Sequence, residues 1–166
     1  MNKPNRLMKI TNATARLPEG MRSLALSKIF GQAVPMVGTA SIRYLEVTPA
    51  RVVCHIPNRR GMQNHIKGVH AAAMALLAET ATGFVTGLNV PDDRLMLIKS
   101  LHVDYKRVAK GSLTATATLS DEQRQYIARE TKGELTVPVT VVDESGQEPI
   151  RCEMVWAWLP RKKKPA

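Results

Sequence analysis

The chain has 166 residues and a formal net charge of +10, with 44% hydrophobic and 4% aromatic residues. That length suits one domain with a sizeable core. Cys54 and Cys152 are the two cysteines; far apart and without a CxxC pair, they argue against a disulfide framework or a zinc site. The longest apolar run, Ala71–Ala78, is too short to cross a bilayer, and the N-terminus MNKPNRLMKI lacks the apolar core of a signal peptide. A reduced, cytoplasmic setting without a membrane anchor is the expectation. The positive charge favours anionic partners, although plain solubility explains it equally well. The few aromatics are not interleaved with the basic residues, which argues against a single-strand nucleic-acid surface.

Residues 1–34 read as an N-terminal extension. Its leader is of undetermined order. Pro18-Glu19 then opens a helix carrying Met21, Leu24, Ala25, Ile29 and Phe30, with Gly31 near its end. A domain over residues 35–160 follows. The β-rich runs Thr39–Val47 and Arg51–Ile56 flank Thr48-Pro49-Ala50 and predict a hairpin. After a loop at Pro57–Gly61, an Ala/Leu/Met-rich helix is predicted from Val69 to Thr86. Asn89–Asp93 forms a second loop.

The second half is strand-rich: Leu95–Lys106, the small-faced LTATATL at Leu113–Leu119, then Glu134–Val142 and Ile150–Leu159. Asp121–Thr131 is a short helix with Asp121 as a candidate N-cap. Asp143-Glu144-Ser145-Gly146 is a turn. Pro138 places its strand at an edge or a bulge. Met154, Trp156 and Trp158 share one face of the last strand, as core or interface residues. Residues 161–166 form a basic tail. The order is α+β. A long helix that is apolar on nearly all sides needs a sheet wrapped around it, with further cover from the N-terminal helix or another subunit.

The segment Asn64–Gly83, NHIKGVHAAAMALLAETATG, carries the chemistry. Glu79 is alone within an apolar helix, and an unpaired buried charge is costly. Either Thr80, Thr82 or a backbone amide satisfies it, or its ionisation is tuned for reaction. The first turn of the helix, at His70–Ala72, offers free N–H groups and the positive end of the dipole. Taken singly, Asn64 reads as a turn residue and His65 as an exposed loop histidine. Gly83 and Gly87 read as close packing and a helix end. Lys99, Lys106, Arg107 and Lys110 are either a solvated strand end or a phosphate-binding set.

A loop Asn, a Gly, a His at the mouth of a buried helix and an acid nine residues later resemble the hotdog-fold thioesterases. The likeness is to the phenylacetate-degradation (PaaI-like) group and its relatives, on Asn64, Gly68, His70 and Glu79. The segment KSLHVDYKRVAKG, Lys99–Gly111, is similar to the strand after the hotdog helix. The resemblance covers residues 35–160 or so. It implies an antiparallel sheet around a long central helix, here with an N-terminal helical extension, and hydrolysis of acyl-CoA thioesters. Glu79 would be general base or nucleophile, with Asn64 beside it and the N–H groups of His70, Ala71 and Ala72 facing the oxyanion. Coenzyme A would enter only as part of the substrate, with no metal or redox cofactor.

Ala71 and Glu79 lie roughly 12 Å apart along one helix. One carbonyl cannot reach both, so the family's way of building the site, from two subunits, implies a homodimer or a dimer of dimers. Two departures stand out: Ala71 and Ala72 replace the family's usual glycines, and Ile98, with Ser100 nearby, replaces a common Ser or Thr. A non-catalytic acyl-CoA-binding hotdog is one alternative. A dehydratase pairing His65 with Glu79 is another, but it lacks the Pro-rich loop of those enzymes.

Overall fold

The computed structural model describes residues 4–161. Three helices, α1 (Arg6–Ala13), α2 (Glu19–Ala33) and α3 (Pro35–Ala40), precede the hairpin β1 (Arg43–Val47) and β2 (Arg51–Ile56). A 3-10 turn at Arg60–Met62 leads to α4 (Ala71–Asn89). Then come β3 (Arg94–Tyr105), β4 (Leu113–Thr118), α5 (Asp121–Arg129), β5 (Gly133–Val137), β6 (Val139–Asp143) and β7 (Ile150–Pro160). The antiparallel ladders run β1-β2-β4-β6 and β3-β7-β5.

Pro138 explains the division. The strand expected over Glu134–Val142 is two: Gly133–Val137 pairs with β7, and Val139–Asp143 pairs with β4. A proline has no N–H to give either ladder, so it sits at the joint where the chain passes from one ladder to the next. The two ladders lie around α4, which packs on β2, β4, β6 and β7. Ala115 and Ala117 are fully buried, and their small side chains let α4 approach closely. By length and mean hydropathy α4 could cross a membrane, yet 61% of its 18-residue apolar window is buried inside the protein. Met154, Trp156 and Trp158 all lie in this core.

The glycines of α4 are packing devices. A Cβ on Gly83 would stand 2.6 Å from the Trp156 ring, and one on Gly87 would stand 3.1 Å from Leu7. The Trp156 indole also donates to the Thr82 hydroxyl at 3.0 Å, so the ring cannot retreat without breaking that bond. Gly83→Ala is therefore expected to destabilise by about 1–3 kcal/mol through overpacking, despite alanine's better helix propensity. Urea unfolding followed by tryptophan fluorescence measures it.

Several expectations need correction. The leader holds a helix, α1, because Asn5 ties it down. The Asn5 side-chain oxygen accepts from Met8 N, and its amide donates to the Gly87, Leu88 and Val90 carbonyls at the end of α4. The strand expected from Thr39 begins only at Arg43, since Pro35 starts α3 and Ser41 ends it in a left-handed conformation. In α2 the buried residues are Leu26 and Phe30, whereas Met21, Leu24 and Ile29 are exposed. That helix is apolar on both sides, so periodicity cannot choose its inner face; Phe30 does, by packing edge-on against Tyr44 and Phe84. The N-cap of α5 is Ser120, not Asp121, in a capping box with Gln123. Arg94, which no sequence signal marked, is buried and donates to the Ile127, Ala128 and Glu130 carbonyls at the far end of α5.

Candidate functional site

The loop before α4 is organised by Asn64. Its side-chain oxygen accepts from the N–H groups of Ile66 and Gly68, both at 3.1 Å, and its own N–H donates to the Gly68 carbonyl at 2.9 Å. This closes a tight turn, with Lys67 at φ +62°, and delivers His70 to the helix start. His70 is the N-cap. Its Nδ1 accepts from Ala72 N at 3.1 Å, which places the proton of the neutral ring on Nε2. Of the donors expected for an oxyanion, the Ala72 N–H is thus engaged, and so is the His70 N–H, which donates to the Met62 carbonyl at 2.8 Å. The Ala71 N–H has no partner among the described residues. The Ala71 carbonyl accepts from the Tyr105 hydroxyl at 2.9 Å, which pins the helix start to the end of β3.

Glu79 lies two turns along, half-buried, on the wall of an apolar cavity of about 560 Å³ between α4 and the N-terminal helices. Its carboxylate has no hydrogen bond or ion pair among the described residues. The candidate partners are otherwise placed: Thr82 donates to backbone carbonyls and accepts from Trp156, and the buried Thr80 hydroxyl has no partner among the described residues. Burial therefore pushes the Glu79 pKa up without a compensating contact. Tyr44, which sequence reasoning missed, lines the same cavity. Its phenol is pushed up by burial and, to a lesser degree, by the charges of Cys54 and Glu79.

His70 and Ala72 line a second, smaller cavity of about 240 Å³ beside α3. One chain therefore keeps the helix start and Glu79 on different cavities. His65 is exposed and lines neither.

Three of the four candidate phosphate-binding cations have protein partners: Lys99 with Glu134 at 2.5 Å, Lys106 with Asp104 at 3.1 Å, and Arg107 with Asp143 at 2.6 Å. The Lys110 ammonium has none among the described residues. Between residues 46 and 160 basic and acidic side chains are equal in number, so the net charge resides in the chain ends. Among the described residues no three His, Cys, Asp or Glu side chains form a metal-sized cluster.

Antiparallel strands packed around one long central helix are the hotdog fold. Within it, the chain belongs to the DUF4442 family, a domain of unknown function, matched over residues 22–159. Among solved structures it is similar to a protein of unknown function and probable thioesterase from Pseudomonas aeruginosa. The two share 22% identity at a TM-score of 0.74, over 82% of this chain and 95% of that one. It is also similar to a thioesterase from Haemophilus influenzae, at 13% identity and a TM-score of 0.63, over 83% and 90% of the two chains. A mutant thioesterase enzyme from Staphylococcus aureus aligns at 17% identity and a TM-score of 0.66, over 76% and 100%. At these identities the likeness establishes the fold. No curated protein matches the chain.

Proposed function

We propose that this protein hydrolyses acyl thioesters, with coenzyme A thioesters as its substrate class and Glu79 as the reactive carboxylate. One observation carries the reading: Glu79 lies on an apolar cavity with its pKa raised and no structural partner among the described residues. A buried carboxylate kept only for the fold is ordinarily hydrogen-bonded.

As general base, Glu79 takes a proton from water while the water oxygen bonds to the thioester carbon. The oxyanion is received by the Ala71 N–H and the positive end of α4. Collapse breaks the C–S bond, and the proton on Glu79 passes to the departing thiolate. As nucleophile, Glu79 would instead form a mixed anhydride that water then cleaves. No metal or redox group is needed in either course. Thiol release from short, medium, long and aromatic acyl-CoAs, by wild type and Glu79→Gln, tests the reading. Tight acyl-CoA binding without turnover would support the second reading, a non-catalytic acyl-ligand protein. That reading draws on Ala71-Ala72 in place of two glycines and on the engaged Ala72 N–H.

The acting form in this proposal is a cytoplasmic homodimer or dimer of dimers, in which Ala71 of one subunit faces Glu79 of the next. The surface that supports it is β3, an outer strand of its ladder with Leu97, Leu101 and Tyr105 exposed. A long apolar edge of this kind is a template for strand pairing. Leu101→Arg is expected to yield monomers in sedimentation velocity and to lower thiol release at least tenfold, although neither Ala71 nor Glu79 is altered. A monomer of wild-type activity would refute the two-subunit site.

A further inference from the structure

The cavity beside Glu79 has a built far end, and that end comes from the N-terminal extension. Glu79, Gly83 and Gly87 follow one another at intervals of four residues along one face of α4, so the cavity runs with the helix. At Gly87 the helix is bare, and two side chains converge over it. Leu7 and Met96 would stand 3.1 and 3.6 Å from a Cβ at that position.

Beyond them the surroundings turn polar. The buried Asn5 amide is bonded to the carbonyls of Gly87, Leu88 and Val90, and the Asp92 carboxylate accepts from Arg6 N at 3.1 Å. Those bonds hold α1 across the cavity as a fixed wall.

We propose that this cavity takes the straight acyl chain of the thioester and that Leu7, with Met96, measures its length. The proposal rests on the thioesterase reading for the placement of the carbonyl near Glu79. From Glu79 to Gly87 the helix advances about 12 Å, and an extended chain gains roughly 1.2 Å per bond, which gives room for on the order of ten carbons. A longer chain meets Leu7 and then the polar corner, where a methylene gains nothing. The volume, about 560 Å³, is that of a small-ligand pocket.

The probe is a series of S-alkyl coenzyme A thioethers from four to sixteen carbons, titrated calorimetrically. They carry no scissile bond, so the outcome does not depend on turnover. Affinity is expected to rise about fourfold per added methylene, then level off near ten carbons. Leu7→Ala should move that break outward by two or three carbons, and Leu7→Trp should move it inward. Leu7 is only partly buried, so both variants should keep the wild-type fold, which circular dichroism checks. A break unmoved in both variants, an affinity that climbs unbroken to sixteen carbons in wild type, or no binding at any length would each overturn the proposal. Glu79-dependent thiol release with an unmoved break would leave the thioesterase reading standing and sink only the ruler. A shifting break in a protein that releases no thiol would do the reverse.

Discussion

Glu79→Gln is expected to abolish thioester hydrolysis, with kcat falling by roughly 10²–10⁴, while the protein becomes more stable at neutral pH. The loss follows from chemistry, since an amide can neither take a proton from water nor attack a carbonyl. The gain follows from linkage. Burial raises the Glu79 pKa above its ordinary value of 4.5, so the folded state binds the proton more tightly than the unfolded chain does. Stability supplied by the protonated form is complete below that ordinary value and declines as pH rises through the raised one. A neutral glutamine escapes the decline. The melting temperature at pH 7 should rise by roughly 1–3 °C, and the two proteins should converge at pH 4 or below.

The wild-type rate should rise with pH as Glu79 ionises, with its midpoint displaced upward from that of a free glutamate. Thiol release across pH, beside thermal melts of both proteins, checks all three. Equal turnover by the two would remove Glu79 from the reaction. A destabilised variant would mean that the carboxylate has a structural partner after all.

The central helix and the hairpin before it were legible because local rules and tertiary needs agree there. An Ala/Leu/Met run can only be a buried helix, and Arg51–Ile56 matches the observed strand residue for residue. The failures fall where a distant partner decides. Asn5 makes α1 a docked helix through carbonyls more than eighty residues away. Phe30 turns α2 by meeting Tyr44 and Phe84, although both faces of that helix are apolar. Pro138 rightly read as an edge, since β5 and β6 are outer strands of their ladders, but nothing local reveals that the chain changes ladders there. At the site, Glu79 was legible because a charge in an apolar run violates a rule. Tyr44 was not, because a tyrosine in a strand violates none.

Asp143→Asn is expected to destabilise the protein by about 3 kcal/mol and to slow turnover, although the residue lies outside both cavities. Its sequence context, Asp-Glu-Ser-Gly, signals only a turn. In the structure its side chain is fully buried and accepts from Arg107 at 2.6 Å, Lys110 N at 2.8 Å, Ser145 N at 2.9 Å and Ser145 Oγ at 2.6 Å. Burial alone would raise its pKa, but these donors outweigh it and hold the carboxyl far below the usual aspartate range. The sign is therefore opposite to that of Glu79. This contribution is complete above the ordinary aspartate value of 3.8 and is lost as pH falls below it.

An asparagine keeps the shape but turns one acceptor into a donor facing Arg107, whose guanidinium is then left without its counter-charge. The consequence for activity runs through the backbone. Asp143 holds the turn from Arg107 to Gly111, and the Ala109 carbonyl of that turn would lie 3.7 Å from a Cβ on Gly68, in the loop that delivers His70 and the Ala71 N–H. Urea denaturation at pH 7 should show the full deficit, and the gap to wild type should narrow as pH falls below 4. A kcat decrease with KM little changed would locate the damage at the oxyanion donor. If stability drops while kcat holds, the turn supports the fold alone and the loop before α4 stands without it.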